Sequence, residues 1–412
     1  MSFLFIPRIG EKADLNRRKQ STVYGNQHRR CLPGTRVKTL HTIREWANDD
    51  STTSRIFCLL DVAGSGKSTV AKEVAEKWEE DGLLVGRFFF SRDTTETMST
   101  KRFCSTVSNT FVSLDDGLKR HIEEFKKRRL DWEELPFERQ YEGLVAGPLR
   151  ALNRPAILTI DALDECEDGI ELIKTLRDKQ SSVPLLRTLI TGRPEAKIKQ
   201  WVMKADGICT GSFQQLEGDN QDVEKYIQSR LENETSEIQN RVIRRAEGHF
   251  IWARIACDLL DEVPDINGTL EELEGPSEEA SKLDMIYRVA LERAMLDDKR
   301  SRQIIILVLQ MLLAMRVPLS IADLTEISPW SEKDVVERTI ARLGSLLLFQ
   351  GPNDPIRLLH TTFREFLISR EKAGEYFIQL ELGHYTLARG SLKILSHHSS
   401  SVIDSSVEEY RR

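Results

Sequence analysis

The 412-residue chain has no apolar run of the roughly 20 residues needed to cross a bilayer. Its longest, Ile304 to Met315, is broken by Gln310 and closed by Arg302 and Arg316, and it reads as a buried helix. The start, Met1 to Ile6, meets Pro7 before any basic segment has formed, so it does not read as a secretory signal. The six cysteines (Cys31, Cys58, Cys104, Cys166, Cys209, Cys257) lie far apart, with no C-x-x-C pair and no clustered histidines. That spacing argues against a disulfide framework or a zinc site and for reduced thiols in the cytoplasm. A large positive charge is also missing: 59 basic against 65 acidic residues leave a net charge of −6. An acidic chain is poorly suited to coat nucleic acid or to lie on an anionic membrane. No internal repeat and no low-complexity segment is visible.

What is present is an ordinary soluble composition, 40% hydrophobic and 30% charged, at a length that suggests two to four domains at about 150 residues each. Residues 1–23 are polar and basic without sustained period, and 1–35 read as an N-terminal arm ending in the Pro33-Gly34 turn. Leu40, Ile43, Trp46 and Ala47 then mark an amphipathic helix. Strands are expected at 56–60, 84–91, 157–161, 185–191 and 207–211, with helices at 68–78, 100–113, 117–128 and 138–152. Continuous apolar strands separated by helices predict a parallel sheet covered on both faces, in an α/β core over 36–212. Over 213–298 only helical periods remain, and this stretch reads as a helical subdomain. It contains an acidic connector punctuated by Pro264, Gly268, Gly275 and Pro276. Over 299–370, three helices, a short hairpin (346–349 with 356–359) and a closing helix at 361–369 predict a winged-helix-like domain. Residues 371–412 begin helically, end serine-rich, and read as a C-terminal tail.

The strongest chemical signal is Ala63-Gly64-Ser65-Gly66-Lys67-Ser68-Thr69, directly after a strand and opening a helix. Glycines there let successive N–H groups converge on phosphate at a helix N-terminus; Lys67 would reach the β/γ-phosphates and Ser68 would hold Mg²⁺. The phosphate-loop pattern asks for glycine at 61, where this chain has Asp61, whose side chain is expected to strain the turn and repel phosphate. A second motif, Ile157 to Glu165, is an apolar strand ending in carboxylates. Asp161 would coordinate Mg²⁺ through water, and Asp164 or Glu165 would accept a proton from attacking water. Read alone, these carboxylates would instead solvate and cap the next helix. Arg193, in Thr191-Gly192-Arg193-Pro194, ends a strand on the same sheet edge and would sense the γ-phosphate; the other reading is a surface arginine. His360, at the end of the expected hairpin, reads on its own as a satisfied cap or core residue.

Taken together, Cys31–Arg36, the Gly-Lys-Ser-Thr loop, Phe88-Phe89-Phe90-Ser91-Arg92, Asp161–Glu165, Thr191–Pro194, Phe250-Ile251-Trp252-Ala253 and Leu359-His360-Thr361 resemble a known family. They look like the NACHT-type, nephrocystin-like P-loop NTPases of filamentous and mushroom-forming fungi, within the signal-transducing STAND ATPases. The resemblance spans roughly 24–370. It implies a three-layer α/β core, a helical subdomain, and a winged helix that closes over bound ADP. It further implies ATP exchange followed by homo-oligomerisation, in signalling of the fungal innate-immunity and incompatibility kind. Carried over by position, Lys67, Ser68 and Thr69 bind phosphate and Mg²⁺, Asp161 holds the metal, Asp164 and Glu165 form the acidic pair, and Arg193 is the sensor. Pro318 would contact ADP, and His360 would lock the closed state. Ala162 departs from the family, many of whose members carry glycine there.

Effector and sensor parts, usual in relatives, are expected from partner proteins unless the chain is a truncated product. The leading expectation is therefore an ATP/ADP-operated switch with slow hydrolysis. Two others stand beside it: a scaffold whose loop Asp61 has disabled, and a DNA-linked ATPase. Against the last, 301–370 carry eight basic and seven acidic residues, no phosphate-tracking face.

Overall fold

The computed structural model describes residues 30–412 except 92–96, 217–220, 262, 264, 276–280, 296–298, 330–332, 350, 352 and 411–412, and the side chains of 333 and 397–410. The arm expected over 1–23 lies outside the described residues, as do Arg92, Pro264 and Pro276. The chain divides into two compact units, Met1–Asp222 and Val223–Arg412. All six cysteines are free thiols.

In the first unit the order is α1 (Val37–Asn48), β1 (Ile56–Leu60), α2 (Lys67–Glu80), β2 (Leu84–Phe89), α3 (Phe103–Leu114) and α4 (Asp116–Arg128). A helical run from Phe137 to Ala151, π-helical at Glu142–Ala146, leads to β3 (Ala156–Asp161) and α5 (Gly169–Lys179). Then come β4 (Leu186–Gly192), α6 (Ala196–Lys204), β5 (Ile208–Gly211) and the short α7 (Phe213–Leu216); α8 (Gln221–Arg230) starts in the first unit and continues into the second. The five strands are parallel in the order β2-β3-β4-β1-β5. All five residues of β1 are buried, which requires cover on both faces of the sheet. Ile56, Cys58 and Leu60 join one core with the α3–α6 side; Phe57 and Leu59 join another with Leu40, Ile43, Val70, Val74 and Trp78 of α1 and α2. The period-2 alternation of β1 thus builds the middle layer of three.

The sheet order places β4 between β1 and β3, with Leu60 beside Gly192 and Ile160 beside Ile190. The loops after β1, β3 and β4 therefore open at one edge of the sheet, the carboxyl ends where open α/β sheets bind ligands. This is a mixed α/β fold with a central parallel sheet flanked by helices, consistent with the general architecture of P-loop NTPases.

The second unit is nearly all helix: α9 (Ser236–Ala246), α10 (Phe250–Asp261), α11 (Ile266–Glu274), α12 (Lys282–Ala294), α13 (Lys299–Ala314), α14 (Ile321–Ile327) and α15 (Lys333–Arg342). A minimal antiparallel pair follows, β6 (Leu347–Leu348) with β7 (Arg357–Leu358), then α16 (Thr361–Leu367) and α17 (Leu380–Tyr410). One apolar core holds it, with Tyr287, Phe363 and Phe366 in mutual ring contact and the Tyr287 hydroxyl 2.7 Å from Thr362 Oγ1.

Two sequence expectations change here. The supposed connector contains α11: Asp265 caps it by accepting from the Gly268 N–H at 3.0 Å, so glycine inside the helix is offset by a satisfied end. The tail begins helically as expected, but its helix α17 runs on to Tyr410, and its first turns press on α13 and α14. A Cβ at Gly383 would fall 2.1 Å from the Gln310 carbonyl oxygen, and one at Gly390 would fall 2.0 Å from that of Ile327. Glycine there brings two backbones together.

Candidate phosphate-binding site

The loop after β1 begins by extending the sheet, with the Asp61 N–H donating to the Gly192 carbonyl at 3.1 Å. Its left-handed positions fall on Gly64 (φ 72°) and Gly66 (φ 95°), where an L side chain would be strained. Asp61 is not among the residues of positive φ, so position 61 does not require glycine. Its carboxylate accepts from the Val62 N–H at 2.7 Å and the Phe213 N–H at 2.8 Å, capping the start of α7. The expectation that Asp61 strains the turn is overturned. Its charge is held by two backbone donors, one in the loop itself and one at the start of α7.

Lys67 is the first residue of α2, and its Nζ donates to the carbonyls of Asp61 (2.9 Å) and Val62 (2.7 Å), drawing the loop closed on itself. Burial lowers its pKa from the usual lysine range; Asp164, Asp161 and Asp61 oppose that shift, and Arg193 adds to it. Those same interactions show that the structure brings Lys67, Asp161, Asp164 and Arg193 into one electrostatic neighbourhood. Ala63 and Gly64 line the loop ahead of Ser65 and Gly66; Ser68 and Thr69 follow Lys67 in the first turn of α2.

Asp161 ends β3 and is 1% exposed. One carboxylate oxygen accepts from the Thr191 hydroxyl, while the other, equally buried, has no hydrogen-bond partner among the described residues. A buried carboxylate oxygen left open fits a hydrated cation, since leaving it unmatched carries a desolvation penalty. Among the described residues no group of three His, Cys, Asp or Glu side chains forms a metal cage. A single buried carboxylate suits Mg²⁺, which keeps waters and takes further oxygens from phosphate. The chain then turns through Ala162 (φ 58°), a left-handed alanine where glycine would be unstrained, into the short turn Leu163–Glu165.

Asp164 is engaged by Arg193 twice, accepting from its backbone N–H at 2.8 Å and lying 3.2 Å from Nε. Gly192 makes room, since a Cβ there would lie 3.3 Å from Asp164 Oδ1. Glu165 is buried beside it. Pro318 and His360 lie in the second unit. Pro318 is buried between α13 and α14; His360 is the N-cap of α16, its Nδ1 accepting from the Thr362 N–H at 3.1 Å.

Three contributors were not read from the sequence: Thr191, which supports Asp161, and the pair Arg36 and Asp222. Arg36 carried a signal, a cation at a helix N-terminus, where the helix dipole disfavours positive charge.

The family model Nephrocystin 3, N-terminal, matches residues 34–193, from the turn before α1 to the arginine after β4. That stretch is nephrocystin-3-like. Similar solved structures include the Aeropyrum pernix Orc1 protein in complex with DNA (12% identity, TM-score 0.38, 84% of this chain and 92% of that one). AMPPCP-bound DnaA from Aquifex aeolicus is another (14%, TM-score 0.35, 76% and 89%), and Thermotoga maritima RuvB a third (11%, TM-score 0.31, 81% and 94%). These are distant likenesses. No curated protein matches the chain. Among the described residues no helix is long and apolar enough to cross a membrane.

Proposed function

We propose that the first unit binds ATP and ADP with Mg²⁺ and hydrolyses ATP slowly, and that nucleotide exchange operates a signalling switch. The observation that carries this reading is the loop itself. Glycines take its strained positions, Lys67 is poised at its mouth, and the Asp61 carboxylate is consumed by two backbone donors. Phosphate would replace the carbonyls of Asp61 and Val62 as partner to Lys67, supplying a full charge to a partly desolvated ammonium. Mg²⁺, when bound, would neutralise phosphate charge; Ser68 and Asp161 are the residues to hold it. Asp164 clamps Arg193, and Glu165 is the residue proposed to take the proton of an attacking water. A γ-phosphate would compete with Asp164 for the Arg193 guanidinium, a built-in way to distinguish ATP from ADP.

The switching part rests on the NACHT and STAND resemblance. The helices α13–α15, the β6–β7 hairpin and α16 support a winged-helix-like domain after a helical subdomain. In this reading that domain would engage ADP through Pro318 and His360 and release it on exchange. Self-association of the open form, with partner proteins supplying sensor and effector, completes the proposal.

Calorimetric titration of the natural chain and Asp161→Asn, each with Mg²⁺ and with a chelator, tests the nucleotide reading. The natural chain is expected to bind ATP about tenfold more tightly with Mg²⁺, and Asp161→Asn to lose that gain, a difference of about 1.4 kcal/mol. Equal Mg²⁺ dependence in both chains would exclude Asp161 as the metal residue, and no binding by the natural chain would overturn the proposal.

A further inference from the structure

Arg36 occupies a position that local physics argues against. It is the N-cap of α1, at φ 56° and ψ 24°, a left-handed conformation that costs a non-glycine residue free energy. Its charge sits at the positive end of a helix. Its side chain is buried, the residue being 8% exposed, although guanidinium is costly to desolvate. Such an arrangement persists only where surrounding contacts determine it, and here they do. Nη2 donates to the Ser65 carbonyl at 2.8 Å. The backbone N–H donates to Asp222 at 2.9 Å, and Nη1 lies 3.7 Å from the same carboxylate, itself 7% exposed. The Phe213 ring stacks on the guanidinium at 3.6 Å. Phe213 is also the residue whose N–H is held by Asp61. The first residue of the phosphate loop and its middle are therefore anchored on one small cluster.

We propose that Arg36 is a positioning residue for the phosphate loop: pinned between Asp222 and Phe213, its guanidinium holds the Ser65 carbonyl, sets the loop for phosphate, and links loop occupancy to the first turn of α8. The geometry follows from the peptide group. In a planar trans peptide the carbonyl and the next N–H point in opposite directions. Holding the Ser65 C=O toward Arg36 turns the Gly66 N–H the other way, at the left-handed glycine that opens α2. Without that anchor the 65–66 peptide is free to rotate, and the donors lose their convergence. Arginine is required because one planar fork must serve a carbonyl, a carboxylate and a ring face at once; lysine offers a point charge. Asp222 lies on α8, the helix whose next residue, Val223, begins the second unit in sequence. A shift of the Ser65 peptide on phosphate binding would reach Asp222 through a single side chain.

This inference rests on the nucleotide reading, and its test separates the two. Affinities of the full chain for MgADP and AMP are measured by calorimetry for the natural protein, Arg36→Lys, Arg36→Ala and Asp222→Asn, with apo melting temperatures alongside. Hydrogen exchange across 221–230 is followed with and without MgADP. The natural chain is expected to prefer ADP over AMP and to change exchange in 221–230 on binding. Arg36→Lys is expected to lose at least tenfold in ADP affinity and most of the ADP-over-AMP preference, and Asp222→Asn to lose the exchange response. If Arg36→Ala does not fold, Arg36→Lys and Asp222→Asn decide. A natural chain that fails to bind MgADP overturns the nucleotide reading. A natural chain that binds, together with an Arg36→Lys chain that keeps its full phosphate preference while only its melting temperature falls, overturns the positioning role alone.

Discussion

Replacing Lys67 by alanine is expected to reduce ATP and ADP affinity at least 100-fold, about 2.7 kcal/mol, while leaving the apo protein close to its natural stability. The two halves of this result have one cause. In the chain without nucleotide the ammonium is partly desolvated, held by two loop carbonyls and by the charges of Asp164, Asp161 and Asp61, so its removal sacrifices two hydrogen bonds and relieves a desolvated charge. With nucleotide present the same group meets phosphate, and its loss removes the charge-assisted contact. The pH dependence has a definite sign. Burial lowers the folded-state pKa of Lys67 below 10.5, so between the two values the unfolded chain holds more protons and stability rises with pH. Lys67→Ala is expected to lose that rise. Fluorescent-nucleotide titration and thermal melts across alkaline pH provide the check; an unchanged affinity would remove Lys67 from the site.

The second large effect is expected in the second unit. Gly383→Leu should destabilise the second unit by about 3 kcal/mol or more, because the added Cβ would lie 2.1 Å from the Gln310 carbonyl oxygen, 2.7 Å from its carbon and 2.8 Å from Ala314 Cβ. Backbone cannot step aside as a flexible side chain can, so Gly383→Ala should already impose most of the penalty. Urea denaturation followed by circular dichroism reads the change. A midpoint unmoved by either substitution would mean that α17 does not pack on α13 as described.

The strand–loop–helix geometry around Lys67, proposed to bind phosphate, was legible in the sequence because its determinants are consecutive: strand, glycines, lysine and helix follow one another within a few residues. The β3 carboxylates and Arg193 were legible because apolar strands announce their own ends. What stayed hidden was long-range or ran against local preference. Arg36 and Asp222 meet across 186 residues, and no local pattern pairs them. The orientation of the Asp61 carboxylate depends on the Phe213 N–H, so sequence could register the missing glycine and not the donor that makes it harmless. Helix α11 hid behind Gly268 and its flanking glycine and prolines. The packing of α17 was hidden because its contacts with α13 and α14 run through Gly383 and Gly390, while Leu382, Tyr385 and Leu392 face outward and blur the amphipathic period.

Asp61 is proposed to belong to a working phosphate loop. The measurement that tests it most directly is MgADP titration of the natural chain and Asp61→Gly side by side. The natural chain is expected to bind, with Asp61→Gly binding no more tightly and melting lower by the equivalent of about 1 kcal/mol, because the cap on Phe213 is gone. A natural chain that fails to bind while Asp61→Gly binds at micromolar concentration would contradict the account and make the protein a scaffold disabled at that one carboxylate.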